Sequence, residues 1–270
     1  MPTRLFPHAC LFLLAMSLCT MPPMLAQDAS EKPAAGSQFY EIRSYVLGEK
    51  GDEAAVDAYV GDALLPALAR LNVGPVGAFS PTDADETGAN TVFLVIPFDN
   101  LEQIATVREA LAADVKYQSD AKEYLDRAHT DPPFARIRSE LLSSMECWPE
   151  ITDVKKEVLQ DADRVYELRL YESANERIGD VKVEMFNNGE VPIFLDCGIT
   201  PVFVGQCLVG PQMPSLTYLT MYPNDAERLK SWDAFRVHPD WKVLSAKKKY
   251  AGTVSRIDKF VLAAKSYSQM

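Results

Sequence analysis

The sequence predicts an α+β fold in which one domain occurs twice. Residues 165–171 read VYELRLY, and residues 39–45, which begin 126 positions earlier, read FYEIRSY. The register continues at the same offset, since Pro66 matches Pro192. A repeat of this length indicates two copies of a whole domain, because solenoid units recur at periods of about 20–50 residues.

The composition is that of an ordinary folded protein. Apolar residues make up 47% and charged residues 24% of the 270 positions, which is close to the globular average. A chain of this length holds two domains that each have a core. The formal net charge is −11, so we expect nucleic acid and anionic membrane surfaces to be poor partners.

The first 26 residues have the pattern of an export signal. Arg4 precedes an apolar run over residues 9–18, and the small residue Ala26 stands at the end of the pattern. We therefore predict a signal peptide over residues 1–26, a flexible leader over residues 27–37, and an exported, periplasmic or secreted protein. Without the signal the charge becomes −12, from 26 basic and 38 acidic residues. No later stretch is long and apolar enough to span a bilayer.

The first copy, residues 38–146, alternates strand-like and helix-like patterns. Runs of aromatic and β-branched residues predict strands over residues 39–46, 73–80, 91–98 and 135–145. Apolar residues at helical spacing predict helices over residues 53–71, 101–113 and 117–128. We expect Pro66 to end or kink the first helix, and Asp99 or Asn100 to cap the second.

The second copy, residues 164–265, repeats this order after a charged connector over residues 147–163. Its predicted strands cover residues 164–172, 199–208, 216–222 and 253–263, and its predicted helices cover residues 178–194, 225–236 and 241–250. Each copy then reads β-α-β-β-α-β, the ferredoxin-like unit, whose sheet carries helices on one face only. We predict that the two open faces pack together as an intramolecular pseudo-dimer and close an α+β barrel. Further pairing between chains stays open.

Four segments of the second copy form a specific combination. They are Tyr166-Glu167-Leu168-Arg169-x-Tyr171, the run from Gly198 to Gly205, Arg228 with Trp232-x-x-Phe235, and His238-Pro239-Asp240-Trp241. With this combination the second copy resembles the NIPSNAP domain of the dimeric α+β barrel superfamily. The first copy is similar but degenerate, with Val107 and Ala110 where Trp232 and Phe235 stand. The resemblance implies the barrel fold, while superfamily relatives include small monooxygenases, lyases, haem enzymes and proteins without a known reaction.

The polar residues of the opening strands are the first candidate site. Strand alternation places Glu167, Arg169 and Tyr171 on one face. We expect this face to point into the barrel, where it would meet the matching face of the first copy, which carries Arg43. One interpretation is an ion-pair network that satisfies its own charges. The other is a polar pocket that clamps a carboxylate or phenolic ligand through Arg43 or Arg169.

Aromatic residues give a second candidate site. Trp232, Phe235 and Trp241 are spaced to place their rings on the inner side of two successive helices. Core packing explains this pattern, since aromatic rings dominate core energetics. The other interpretation is the apolar wall of a ligand cavity that also involves Tyr166 and Tyr218.

Histidine and cysteine form no constellation that would bind a metal. Only His129 and His238 follow the signal, far apart, and no Cys-x-x-Cys occurs. We therefore predict no metal site and no cofactor; a haem-ligand role for either histidine is a further hypothesis. Cys197 and Cys207 are able to pair if a turn joins them, and unpaired burial is equally compatible with the sequence.

The sequence thus predicts an exported NIPSNAP-like barrel that binds a small organic molecule or a protein partner without catalysis. The alternative is a cofactor-independent monooxygenase or isomerase that acts on an aromatic or polyketide-like molecule. In that alternative, Arg169 or Glu167 would direct protons. The two hypotheses differ in whether the space within the barrel is open or filled by the protein's own side chains.

Overall fold

The computed structural model describes residues 38–82, 90–155 and 161–270, together with residue 1. The chain divides into two units, Met1–Lys32 and Pro33–Met270, and everything below concerns the second. The predicted signal peptide and leader therefore lie outside the described residues, except for residue 1. Residues 83–89 also lie outside them.

The first half contains the predicted order of strands and helices. Its strands are β1 (Phe39–Val46), β2 (Gly77–Pro81), β3 (Thr91–Phe98) and β4 (Arg136–Ser144). Its helices are α1 (Glu53–Ala58), a π-helical segment (Tyr59–Leu64), α2 (Leu65–Arg70), α3 (Leu101–Ala113), α4 (Val115–Asp120) and α5 (Lys122–Leu125). The side chain of Asn100, one of the two predicted caps, accepts a hydrogen bond from the N–H of Gln103 at 2.9 Å. Strand β2 begins at Gly77, later than the predicted residue 73.

The second half repeats this order. Its strands are β5 (Val165–Glu172), β6 (Thr200–Val209), β7 (Ser215–Tyr222) and β8 (Arg256–Ala264). Its helices are α6 (Glu176–Met185), a π-helical segment (Phe186–Glu190), α7 (Val191–Asp196), α8 (Asp225–Val237), α9 (Pro239–Ser245) and a 3₁₀ turn (Lys248–Tyr250). The helix predicted over residues 241–250 is thus shorter and ends in a 3₁₀ turn.

Each π-helical segment is followed closely by a proline, Pro66 in one half and Pro192 in the other. Proline has no N–H to donate, and its ring clashes with the carbonyl four residues earlier in a regular α-helix. A π turn is wider, and here the N–H of Leu65 donates to the carbonyl of Val60. The interruption predicted at Pro66 therefore takes the form of a widened turn through which the helix continues.

The eight strands close into one barrel in the order β1-β3-β2-β8-β5-β7-β6-β4. The antiparallel pairs β2–β8 and β4–β6 join the two halves. The predicted α+β barrel of two β-α-β-β-α-β units is confirmed. The domain limits 38–146 and 164–265 stay predictions, because residues 33–270 form a single unit. No helix of the described part is both long and apolar enough to cross a bilayer.

Buried residues form three cores. Two of them lie between a half-sheet and its helices, one in each half. The third fills the barrel interior and takes residues from both halves, including the fully buried rings of Tyr40, Phe79, Tyr166 and Phe203. An eight-stranded barrel is just wide enough for side chains to fill it, and here they fill most of it.

The polar face of β5 points away from the barrel interior, contrary to the prediction. Glu167, Arg169 and Tyr171 face the helices, while Tyr166 belongs to the interior core. Strand alternation separates two faces but does not say which of them is covered by helices. The narrow interior would leave these charges without partners, whereas the helices supply a guanidinium and an indole N–H.

Candidate functional site

The carboxylate of Glu167 is the centre of a buried network between β5 and α8. One of its oxygens accepts from Arg169 Nε at 2.5 Å, and the other accepts from Arg228 Nη1 at 2.5 Å and from Trp232 Nε1 at 3.1 Å. The side chain of Glu167 is fully buried. Asp225, at the start of α8, accepts from Arg228 Nε at 2.7 Å and so shares its charge. A buried carboxylate is tolerated because charge-assisted hydrogen bonds replace its water shell.

Arg169 links this carboxylate to a pair of phenols. Its guanidinium lies 3.6 Å from the ring centroid of Trp232, within cation–π range, and its Nη1 donates to Tyr171 OH at 3.1 Å. The Tyr218 hydroxyl in turn donates to Tyr171 OH at 2.8 Å. Burial raises the pKa of Tyr171 above the ordinary phenol value, although Arg169 opposes the shift. Both phenols are therefore neutral at physiological pH and make poor bases.

A second buried ion pair lies on the other side of the phenols. Lys182 Nζ donates to Glu190 Oε2 at 2.6 Å, and both side chains are buried. The ammonium also lies 4.8 Å from the Phe186 ring and 6.0 Å from that of Trp241. Burial raises the pKa of Glu190, with Lys182 and then Arg169 opposing that rise. Trp241 packs on Phe235 with ring centroids 4.4 Å apart and closes the cluster.

Arg43 belongs to the corresponding network of the first half. It donates to both oxygens of Glu41 at 2.8 Å, and Ser139 donates to the same carboxylate at 2.8 Å. On the helical side, Tyr59 stacks on Tyr124 with ring centroids 3.8 Å apart. The Glu41 carboxylate thus has a guanidinium and a hydroxyl as partners, whereas Glu167 has two guanidinium groups and an indole N–H.

Six of the seven predicted site residues thus lie in one cluster, and each of them has a partner within the protein. The six are Glu167, Arg169, Tyr171, Tyr218, Trp232 and Trp241; Arg43 lies in the other half. Four cavities lined by described residues, among them the two discussed below, contain none of the seven in their walls. The geometry favours the ion-pair network among the two interpretations of these residues.

An open cavity lies instead at one end of the barrel interior, and we name it the mouth pocket. It has a volume of about 270 Å³. Its apolar wall is formed by Ile42, Val46, Phe93, Leu168, Leu170, Pro211 and Phe260. Its polar lining is formed by Ser44, Thr91, Arg138, Glu140, Gln212, Thr217 and Asp258. The pocket is built from both halves of the chain and lies on the face of β5 opposite to the Glu167 network.

Glu140 is the titratable group with the most unusual setting in the mouth pocket. It is half-buried, and its hydrogen-bond partner in the described chain is the Thr217 hydroxyl at 3.4 Å; no cation there lies within ion-pair distance. Burial raises its pKa to about 7, the Thr217 hydroxyl opposes the rise, and the charges of Asp258 and Glu172 add to it. The carboxyl therefore changes charge near neutral pH.

Sequence reasoning did not single out the mouth pocket. The sequence of β4 contains a pattern that would have revealed it. The residues on the inward face of this strand change from the charged Arg138 and Glu140 to the fully buried Leu142. Such a change along one face of a strand indicates that one end of the barrel is polar and the other is dry. The pattern was not interpretable while the orientation of the sheet was unknown.

The first half carries a larger and more open cavity on its outer surface, the outer cleft, of about 650 Å³. Its lining includes five carboxylates, namely Asp52, Asp62, Asp120, Glu123 and Asp131, and a single guanidinium, Arg127. Arg127 donates to Asp52 at 2.7 Å and to Asp131 at 2.8 Å. Four of the carboxylates are exposed, while Asp52 and Arg127 are half-buried, and a group of acids of this kind does not define a ligand.

The contacts of the histidines and cysteines indicate no catalytic or metal-binding role within the described residues. His238 Nδ1 accepts from the N–H of Asp240 at 3.3 Å and caps α9, and His129 is exposed. Cys147, Cys197 and Cys207 are all free thiols, so the structure has no bond between Cys197 and Cys207. Within the described ranges no group of three or more His, Cys, Asp or Glu residues is arranged to hold a metal ion.

Solved structures of similar fold cover most of the chain. A candidate monooxygenase from Lactobacillus acidophilus matches with a TM-score of 0.55 at 12% sequence identity, covering 84% of this chain and 94% of its own. Another, from Fusobacterium nucleatum, matches with a TM-score of 0.54 at 9% identity, covering 85% and 93%. At such low identity the likeness shows the fold alone.

Further comparisons concern the second half of the chain. An uncharacterized NIPSNAP-like domain protein from Burkholderia xenovorans is 15% identical, with a TM-score of 0.36 over 40% of this chain and 90% of its own. No curated protein matches the sequence. The model of the NIPSNAP family matches residues 166–269, which include the Glu167 network and its aromatic partners. Over residues 166–269 the chain is thus similar to the NIPSNAP family.

Proposed function

We propose that this protein is an exported binding protein for a small organic molecule, and that the mouth pocket is its binding site. The observation that carries the proposal is the contrast between the two polar regions. The Glu167 network is filled and satisfied by the protein itself, whereas the mouth pocket combines an open volume, an apolar wall and a carboxyl that has no cation within ion-pair distance among the described residues. Ligand sites typically combine an apolar concave lining with a few convergent polar groups.

Export is supported by the first 26 residues alone. Arg4, the apolar run over residues 9–18 and Ala26 match the three parts of a signal peptide. N-terminal sequencing of the protein from the periplasm or medium of an expressing bacterium tests this part. We expect a start at Gln27. Recovery of an uncleaved chain in the cytoplasm would contradict export.

The binding proposal is tested by native mass spectrometry of the purified protein. We expect a co-purified small molecule of defined mass on the wild-type chain. The Ser44→Phe variant places a ring in the mouth pocket, so we expect it to lose the adduct. Ser119→Phe, at an exposed position of α4 outside the pocket, is the matched control and should keep the adduct. An adduct that survives Ser44→Phe would contradict the assignment of the pocket.

A second candidate function is proton-transfer catalysis of the cofactor-independent monooxygenase or isomerase type. It is favoured by one observation, the pKa of Glu140 near 7, since a general base works best when its pKa is close to the working pH. The roles predicted for Arg169 and Glu167 do not fit, because both are held in ion pairs on the other side of the sheet. Turnover that is lost in Glu140→Gln would establish this function over simple binding.

A further inference from the structure

The polar end of the mouth pocket indicates the chemistry of its ligand. We infer that the mouth pocket takes a small protonated amine with an apolar body, whose ammonium group lies against Glu140 and whose body lies against Phe93, Leu168 and Phe260. This inference rests on the proposed function, since it requires that the mouth pocket is a binding site at all.

The size and the apolar wall of the pocket determine which apolar body the ligand has. The volume of about 270 Å³ is larger than the ~150 Å³ of an apolar cavity that binds benzene. It therefore holds one ring with a short substituent and excludes a polycyclic molecule. Phe93 and Phe260 stand 5.1 Å apart, centroid to centroid, on neighbouring parts of the wall. Their faces offer ring–ring contact to an aromatic body.

The charges around the pocket determine which polar group the ligand has. On β5 and β8, Glu172 and Asp258 each accept a hydrogen bond from Gln212 at 2.7 Å, and Arg256 pairs with Asp258 at 2.9 Å. Glu140 on β4 has the Thr217 hydroxyl as partner and no cation within ion-pair distance in the described chain. Among the described residues, Glu140 is therefore the acid of this end that lacks a positive charge within ion-pair distance.

Two further groups face Glu140 and do not supply that charge. Arg138, two residues earlier on β4, is exposed at the rim. The thiol of Cys207 on β6 is neutral, because burial raises its pKa to about 11 and Glu140 adds to that shift. An ammonium beside Glu140 would form a charge-assisted hydrogen bond in a partly dry site, where such a bond is strongest.

The proton balance of binding follows from the same contacts. In the free protein the carboxyl of Glu140 titrates near pH 7, because burial and the neighbouring acids disfavour its charge. A bound ammonium favours the charged form, so binding below pH 7 must release a proton. The affinity for an amine should then fall as the pH drops from 8 to 6, by about tenfold for a pKa of 7.

The test is isothermal titration calorimetry of the purified protein with three probes of equal size: benzylamine, benzyl alcohol and benzoate. At pH 8 we expect benzylamine to bind at least tenfold more tightly than the other two. Glu140→Gln should weaken benzylamine about tenfold and leave benzyl alcohol nearly unchanged, since it removes a charged hydrogen bond. The fall in affinity between pH 8 and pH 6 should disappear in the same variant.

Two controls separate the mouth pocket from the outer cleft and from misfolding. Asp62→Asn removes a carboxylate from the outer cleft, and it should leave the affinity for benzylamine within twofold. Ser44→Phe should abolish binding of benzylamine while its thermal unfolding stays cooperative.

The outcomes distinguish the inference from the proposed function. Equal binding of benzyl alcohol and benzylamine, both lost in Ser44→Phe, would overturn the amine assignment and leave the pocket standing. Preferred binding of benzoate would also overturn the amine assignment and leave the pocket standing, and it would indicate that Arg138 binds the carboxylate of the ligand. Absence of binding for all three probes, or binding that Ser44→Phe does not change, would overturn the pocket itself.

Discussion

Glu167 is fully buried and Glu140 is half-buried, and the partners of the two carboxylates make them different. Glu167 has two guanidinium groups and an indole N–H around it, so its charge is satisfied within the protein. Glu140 has one hydroxyl at 3.4 Å. Buried charges are stabilising only when such partners are complete. The first carboxylate therefore belongs to the fold, while the second is available to a ligand.

Replacing Glu167 by Gln should destabilise the protein strongly. The substitution keeps the shape but leaves Arg169 and Arg228 buried without their common anion, which costs about 3 kcal/mol. The free energy of unfolding from urea titration measures it. Glu41→Gln is the matched control, since its partner Arg43 is 25% exposed; we expect a loss of about 1 kcal/mol. Equal losses in the two variants would contradict a special role for the second network.

The raised pKa of Glu140 should make stability depend on pH. The folded protein holds this proton up to about pH 7, whereas the unfolded chain loses it near the ordinary value of 4.5. The stabilising contribution is therefore complete below pH 4.5 and is lost as the pH rises from 4.5 to 7. After allowance for solvent screening we expect about 1 kcal/mol. Thermal unfolding of wild type and Glu140→Gln across this range measures it; parallel curves would contradict the shift.

At the scale of elements, the joints between the half-barrels depend on close approach of strands. Gly205 on β6 lies opposite β4, and a Cβ built on it would stand 2.8 Å from Cβ of Leu142. That distance is shorter than van der Waals contact, and Leu142 is fully buried in the interior core. The β4–β6 joint therefore requires glycine at this position.

Gly205→Ala should weaken this joint. The extra methyl group pushes β4 and β6 apart, and overpacking of this kind costs about 1–3 kcal/mol. Urea unfolding measures the loss. Gly179→Ala, in α6, is the control, because its Cβ would have 3.5 Å to the nearest atom. Helix propensity predicts that this change is neutral or stabilising by up to about 1 kcal/mol. A tolerated Gly205→Ala would show that the strands are not in tight contact.

The sequence predicted the strands and helices well, but it did not predict which face of a strand points into the barrel. The repeat at residues 39–45 and 165–171, with the matched prolines, was enough to predict the two β-α-β-β-α-β units and the barrel. Alternation grouped Glu167 with Arg169 but did not reveal that this face meets α8. That fact depends on Arg228 and Trp232, which lie more than fifty positions away in sequence. The mouth pocket, formed by strands of both halves, depends on the same long-range pairing.

The unit Pro33–Met270 is one barrel with two unlike halves and two unlike ends. Interior residues from both halves fill one end, around Tyr40, Tyr166 and Phe203. The other end keeps the mouth pocket open. Because the interior core is shared and two strand pairs join the halves, neither half buries its open sheet face alone.

The two halves should therefore unfold together. Tryptophan fluorescence reports on Trp148, Trp232 and Trp241, which all follow the first half in sequence, whereas far-ultraviolet circular dichroism reports on both halves. We expect the two signals to give coincident urea transitions, as in two-state unfolding. Separate midpoints would contradict a shared interior core.

The most direct test of the central claim, that the mouth pocket is the ligand site, is a crystal structure of the protein soaked with benzylamine. We predict electron density for the ring in the mouth pocket, packed against Phe93 and Phe260, with its ammonium nitrogen within about 3 Å of a Glu140 oxygen. Density beside Trp232 and Arg169, or in the outer cleft with the mouth pocket empty, would contradict the claim.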